Sequence, residues 1–181
     1  MKTLRYLSLL LFMMCMLPAV AQAQDNPRAL IESLKKIHDI TADFVLATAE
    51  MMDEDMYAYR PTVQVYTAGE LLAHIANAQF GICSLAAGEE NPAEGNYVEI
   101  ATTRNAIHTA VKESFVYCEK VYAEMTDKKG EEIKEFFGGE RRTDMTVSAI
   151  LSFNSTHTYE HYGSLATYLR MNGMVPPSSQ N

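Results

Sequence analysis

The chain reads TAGELLAHIANAQFGICSLAAG from Thr67 to Gly88. Thr67 and Glu70 form a Thr-x-x-Glu capping box, which marks the start of a helix, and Gly88 is typical of the residue that follows its end. Between them, apolar side chains recur at spacings of three and four residues, which is the period of one helix face. The segment therefore predicts a long amphipathic helix, whose apolar stripe is Leu71, Ile75, Ala78, Ile82 and Leu85.

Three more segments repeat this spacing. The first begins at Asn26 and Pro27, a helix cap and a proline at the first helical position, and continues with Leu30, Leu34, Ile37, Thr41, Phe44, Thr48 and Met51. The third follows a cap at Thr102 or Thr103 and carries Ile107, Val111, Ser114, Cys118, Val121 and Met125. The last begins near Thr143 or Thr146 and carries Val147, Ile150, Asn154, His157, His161, Leu165 and Tyr168. Together the four segments predict an all-α fold, a four-helix bundle.

Two connections interrupt these helices. Residues 89–101, between the second and third helices, form a connection longer than is usual between antiparallel neighbours, and this length allows a crossover. Residues 131–142 contain Phe136-Phe137-Gly138-Gly139 and predict a turn or a small hairpin before the fourth helix.

Composition excludes two classes of protein. The chain has 181 residues, with 15 Lys and Arg against 23 Asp and Glu, for a net charge of −8. Nucleic-acid binding is not expected, because it requires a basic face. The 48% of hydrophobic residues argues against a disordered chain.

The first 23 residues have the three-part pattern of a secretory signal peptide. Lys2 and Arg5 are followed by the apolar run Leu7–Leu17, and small residues lie before Ala23. We expect cleavage after Ala23, which leaves residues 24–181 as one domain, periplasmic or secreted and without a membrane anchor; an uncleaved anchor is the alternative. Loss of Lys2 and Arg5 changes the net charge from −8 to −10.

Three histidines carry the functional prediction. His157 and His161 are four residues apart, so both lie on one helix face, and they replace apolar residues in the fourth stripe. His74 lies on the apolar side of the second helix. The His157–His161 pair alone is more often a chance pair on a solvated helix, and His74 alone is better explained as a core histidine bonded to a backbone carbonyl. Together they could bind one divalent metal ion through three nitrogens and leave positions open for water or substrate.

The segments Thr67–Ala78 and His157–Leu165 resemble the DinB-like (DinB/YfiT) family of metalloenzymes, and Tyr168–Pro177 resembles the end of that family's last helix. The resemblance spans about Asn26 to Ser178. It implies an up-down-down-up bundle and a metal-binding triad of His74, His157 and His161. It also implies a homodimer and, in some members, the transfer of low-molecular-weight thiols or the isomerisation of thiol adducts. Those thiol-dependent relatives are cytoplasmic, so the predicted export of this chain argues against thiol transfer.

Cys83 and Cys118 remain as an even pair after the signal peptide, which contains Cys15, is removed. If the second and third helices run parallel, as the resemblance implies, the two cysteines lie at similar heights. A disulfide bond is then one expectation, and two buried thiols that pack as small apolar side chains are the other.

Other polar residues have mainly structural interpretations. Glu70 is explained by its capping box, and Glu160 is interpreted as a surface charge. Asn154 could orient a ligand or complete a hydrogen bond in the core. His38 and His108 lie off the apolar stripes and are interpreted as surface or boundary residues.

The leading hypothesis is an exported metal-binding protein and metal-dependent enzyme of hydrolase or transferase type, acting on a small molecule. Imidazole ligands suit Zn, Ni or Fe, and the sequence does not choose among them. The alternative is a non-catalytic helical bundle in which the ion ties two helices together, or one that binds a small ligand. No catalytic residue is assigned.

Overall fold

The computed structural model describes residues 26–137 and 139–180, so the predicted signal peptide lies outside the described residues. The helices are α1 Ala29–Met51, α2 Glu54–Ala58, α3 Ala68–Ala87, α4 Tyr97–Ile100, α5 Arg104–Glu124, α6 Asp127–Gly130 and α7 Val147–Met171. The described residues also contain two strands, β1 Ile133–Phe136 and β2 Thr143–Thr146, and two 3-10 turns, Gly139–Arg141 and Pro177–Ser179. None of the helices within these residues is long and apolar enough to cross a membrane.

The four long helices α1, α3, α5 and α7 form the predicted all-α bundle. Helices α3 and α5 run in the same direction, because Gly69 packs against Ile107 near their starts and Cys83 is bonded to Cys118 near their ends. Helices α3 and α7 run in opposite directions, because His74 lies beside His161 while Cys83 lies beside Asn154, an earlier residue of α7.

Helix α1 is antiparallel to α3 and parallel to α7. His38 of α1 bonds Gln79, which also bonds Thr158 of α7. The ring of Phe44, further along α1, stacks on that of Tyr162, further along α7, so α1 runs with α7 and against α3. The directions of the four helices fit the up-down-down-up order that the resemblance implies. The predicted hairpin is also present, as β1 pairs with β2 in antiparallel register.

Local capping sets where the helices begin. Thr67 accepts a hydrogen bond from the amide of Glu70, and the Glu70 carboxylate accepts one from the amide of Thr67, which confirms the capping box. Gly88 ends α3 in the left-handed conformation, with φ 75°. Thr103 caps α5 and Thr146 caps α7.

The predicted cap of α1 is wrong. The helix begins at Ala29 rather than directly after Asn26, and its first amides are bonded by a residue distant in sequence. The carboxylate of Asp127 accepts hydrogen bonds from the amides of Leu30 and Ile31, at 3.1 Å and 3.0 Å. A cap supplied by tertiary structure has no local sequence pattern, so it was not predicted.

The predicted apolar face of α1 is rotated by about one residue. Ile31, His38 and Val45 are buried, whereas Leu30 and Ile37 are 49% and 47% exposed. His38, interpreted from sequence as a surface or boundary residue, is therefore in the core. Its burial is compatible with packing because its Nε2 lies 3.3 Å from the Gln79 side-chain oxygen.

A layer of buried polar side chains crosses the bundle at Gln79. The Gln79 oxygen accepts a hydrogen bond from Asn154 at 2.9 Å, and the Gln79 amide donates one to Thr158 at 2.9 Å. Both partners belong to α7, and all three side chains are buried. Asn154 thus completes a hydrogen bond in the core, as one of its two interpretations predicted.

The disulfide bond joins α3 to α5 beside this layer. Cys83 and Cys118 are both inaccessible to solvent, and their Cα atoms are 5.4 Å apart, within the usual range for a disulfide. The Asn154 amide nitrogen lies 3.5 Å from the sulfur of Cys83 and 3.7 Å from that of Cys118. Of the two expectations for these cysteines, the structure has the disulfide.

The first prediction concerns this bond. The protein comprising residues 24–181, analysed by mass spectrometry without reduction, should show no thiol that reacts with an alkylating agent. The double variant Cys83→Ala/Cys118→Ala should lose about 3–4 kcal/mol of unfolding free energy, because the unfolded chain regains the entropy that the cross-link removes. Two alkylated thiols in the folded protein would show that the bond does not form.

The second prediction concerns the pH dependence of stability. Burial lowers the pKa of His38 below its ordinary value, although Gln79 and Asp39 oppose the shift. The unfolded chain therefore takes up a proton more readily, near pH 6.5. The stability that His38 contributes is complete above pH 6.5 and is lost as the pH falls toward the folded pKa.

Urea unfolding of wild type and His38→Leu between pH 7.5 and 5 tests this directly. The difference in unfolding free energy between the two proteins should shift in favour of the variant as the pH falls, because leucine cannot be protonated. Curves that stay parallel over this range would contradict the assignment.

Candidate metal centre

The three predicted histidines come together between α3 and α7. His74 lies in the second turn of α3, whose start is set by the capping box. His157 and His161 lie one turn apart in α7. Because the two helices are antiparallel neighbours, the rings meet in a groove between them. All three side chains are half-buried.

The nitrogens converge. One ring nitrogen from each histidine lies within 4.8 Å of the other two. The ring centroids are 4.4 Å apart for His157 and His161, 4.7 Å for His74 and His161, and 5.3 Å for His74 and His157. No other group of this kind occurs among the residues that the structure describes.

The donor set fits a transition-metal ion. The Nε2 atoms of His157 and His161 are 3.0 Å apart, and two nitrogens bound to one zinc ion at about 2.0–2.1 Å also lie roughly 3 Å apart. Three neutral imidazoles from two helices leave at least one coordination position for water or another ligand. The Nδ1 atom of His157 is buried without a hydrogen-bond partner among the described residues.

The electrostatic environment keeps these imidazoles neutral. Burial lowers the pKa of His74 and of His157. Burial, together with the neighbouring charges of His157 and His74, lowers the pKa of His161 to about 4. Neutral imidazole is the form that binds a metal ion, so near neutral pH the site is ready to accept a cation.

Glu160 acts on all three histidines. Its carboxylate is exposed, as predicted for a surface charge, yet it raises the pKa of His74, His157 and His161 against the effect of burial. Its position in sequence, adjacent to His161, gives no sign of this influence over three rings. The negative charge also favours a bound cation.

A cavity opens beside His161. Its volume is about 530 Å³, enough for a small molecule. Its polar and charged lining includes Arg60, Gln64, Glu70, Glu160, Ser164 and Tyr168. We call it the rim cavity, and it gives the histidine cluster access to solvent.

Two aromatic neighbours of the cluster were not assigned from sequence. The Tyr66 ring lies 5.8 Å from that of His74, and the Phe153 ring stacks with His157 at 5.8 Å. Phe153 is one turn before His157, so helical spacing could have indicated it. His108, by contrast, lies apart from the cluster and pairs with Glu50 at 3.0 Å, in agreement with its interpretation as a boundary residue.

Comparison with known proteins identifies a family. A family model described as the DinB superfamily matches residues 38–165, a span that includes all three histidines of the cluster. Among curated proteins, none is significantly similar to this sequence.

Solved structures of similar fold agree with this match. A DinB-like protein from Bacillus cereus superposes with a TM-score of 0.69 at 19% identity, over 81% of this chain and 95% of that one. A DinB-like protein from Bacillus subtilis superposes with a TM-score of 0.64 at 18% identity, over 82% of this chain and 99% of that one. A mycothiol-dependent maleylpyruvate isomerase superposes with a TM-score of 0.61 at 17% identity, over 75% of this chain and 60% of that one. At such identities the likeness concerns the fold alone.

Proposed function

The chain belongs to the DinB superfamily, and from this membership and its converging histidines we propose that it binds one divalent metal ion through His74, His157 and His161. The observation that carries the proposal is the placement of three ring nitrogens within 4.8 Å of one another. Neutral imidazoles suit Zn, Ni or Fe, and the choice among them is left to measurement.

We further propose that the site is catalytic, a metal-dependent hydrolase or transferase acting on a small molecule. A bound divalent ion would supply Lewis acidity. The chain's own residues would hold the substrate at the ion, since the rim cavity leads to His161 and presents the charges of Arg60, Glu70 and Glu160. The fold supports an enzyme in one relative, the mycothiol-dependent maleylpyruvate isomerase.

The second candidate function is non-catalytic. In it, the ion ties α3 to α7 and the protein serves as a metal- or ligand-binding bundle. The close approach of the two Nε2 atoms is equally compatible with a structural ion. Coordination distinguishes the candidates, because a fourth protein ligand favours a structural site, whereas bound water favours catalysis.

The location and assembly of the protein are also proposals. The sequence of residues 1–23 supports export, so the mature domain would work in the periplasm or outside the cell. Family membership supports a homodimer. Cell fractionation and light scattering of the purified protein test these two points separately.

The third prediction concerns metal content. Protein purified without a histidine tag and analysed by plasma mass spectrometry should contain about one divalent ion per chain. His157→Ala should bind that ion at least about ten- to a hundredfold more weakly, because loss of a direct ligand costs at least as much as loss of a residue that supports one.

The matched control is His108→Ala, which removes a half-buried imidazole outside the cluster and should leave metal content unchanged. Circular dichroism of both variants checks that the helices are retained. Full occupancy in a folded His157→Ala protein would refute the proposed ligand set.

The fourth prediction concerns Glu160. The variant Glu160→Gln should bind the same ion about three- to tenfold more weakly, because the surrounding water reduces the attraction between an exposed carboxylate and the cation to about this size. The effect should shrink at high salt. Glu124→Gln, the same change at the exposed end of α5, is the control. Equal affinities for the two variants at low salt would show that Glu160 has no such role.

A further inference from the structure

His157 has an aromatic neighbour that the proposed metal binding does not require. Phe153 lies one turn earlier in α7, and its ring stacks with the imidazole at 5.8 Å and an interplanar angle of 24°. Phe153 in turn meets Phe136 and Phe137 of the hairpin edge-on, at 5.0 Å and 5.6 Å. We call Phe136, Phe137 and Phe153 the aromatic cluster. It continues directly from a proposed metal ligand.

The three rings differ in exposure. Phe136 is only 4% exposed and belongs to the core, whereas Phe137 is 48% exposed and Phe153 is half-buried. Packing of the hairpin against α7 accounts for Phe136. Phe137 packs on Phe136, with the ring centroids 4.2 Å apart, and about half of its side chain remains exposed beside the ring that stacks on His157.

The backbone makes this arrangement more unusual. Phe137 has φ 59°, and it is the one non-glycine residue with positive φ among the described residues. A left-handed conformation costs an ordinary side chain about 1 kcal/mol or more relative to glycine or asparagine. A turn with only a structural role would therefore favour a smaller residue at this position. Residues held at such a cost occur often at ligand-binding sites.

The metal centre therefore has two chemically different neighbours. Beside His161 is the rim cavity, with Arg60, Glu70 and Glu160. Next to His157 is the aromatic cluster, which carries no charge. A substrate held at the histidines would have polar groups on the side of the rim cavity and apolar surface on the side of the aromatic cluster.

We propose that Phe137 and Phe153 form an apolar subsite and that the substrate carries an alkyl or aromatic group that lies on them. The inference rests on the proposed function, because the polar end of the same molecule would bind at the metal ion. It deepens that function by naming the substrate class: amphipathic small molecules with a metal-binding head and an apolar tail.

The test uses the metal-loaded protein and two probes with the same metal-binding head, acetohydroxamate and octanohydroxamate. Their binding is measured by calorimetry. The octanoyl chain should bind at least about tenfold tighter than the acetyl group, since each buried methylene contributes roughly a three- to fourfold gain in affinity. Equal affinities of the two probes would overturn the apolar subsite.

Variants of Phe137 locate the tail. Phe137→Ala should weaken octanohydroxamate binding about five- to tenfold and change acetohydroxamate binding by less than about twofold. Phe137→Asn removes the ring but suits the left-handed backbone, so it should show the same loss in a protein that folds at least as well. Val116→Ala, at an exposed position of α5, is the control and should keep the wild-type preference.

The outcomes separate the two proposals. If the purified protein binds no divalent ion, the proposed function fails and the subsite fails with it. If the ion binds and acetohydroxamate binds to it, but both Phe137 variants keep the full preference for the octanoyl chain, then the metal centre stands and the aromatic subsite is refuted.

Discussion

The hydrogen bonds of Gln79 are the constraint on which the site depends. This side chain lies in α3, one turn beyond His74, and it bonds both Asn154 and Thr158 of α7. Those two residues flank His157 in the same helix. A buried amide without partners costs about 1–3 kcal/mol, so sliding α3 against α7 would be penalised. The register that satisfies Gln79 is also the register that places the histidines opposite one another.

The disulfide extends this constraint to the third helix. Cys118 ties α5 to the end of α3, and the Asn154 amide lies against both sulfurs. Asn154 therefore touches α3 and the covalent link to α5 from a position one turn before His157. Helix α3 is hydrogen-bonded to α7 through Gln79 and cross-linked to α5 through Cys83. His74 in α3 therefore has little freedom to move away from His157 and His161 in α7. A preorganised ligand set binds its ion without an ordering cost.

Much of the fold and of the histidine site follows from patterns that are local in sequence. Capping residues such as Thr67 predict where three of the long helices begin. The four-residue spacing of His157 and His161 predicts that both lie on one helix face. Features that depend on distant residues were missed. Asp127 caps α1 from 97 residues away, and the inward rotation of His38 requires Gln79 of another helix. The contact between Phe153 and the hairpin depends likewise on tertiary packing, which no single segment encodes.

The histidine cluster is hard to explain as packing alone. His157 and His161 have only each other as hydrogen-bond partners among the described residues, and the second nitrogen of His157 is buried without one. Desolvated polar groups left in this way lower stability, and protonation would place like charges side by side. A divalent cation bound at the Nε2 atoms removes the second penalty, because it takes the nitrogen lone pairs that protons would otherwise occupy and keeps the rings neutral. The arrangement that is costly as a core is therefore favourable as a ligand set.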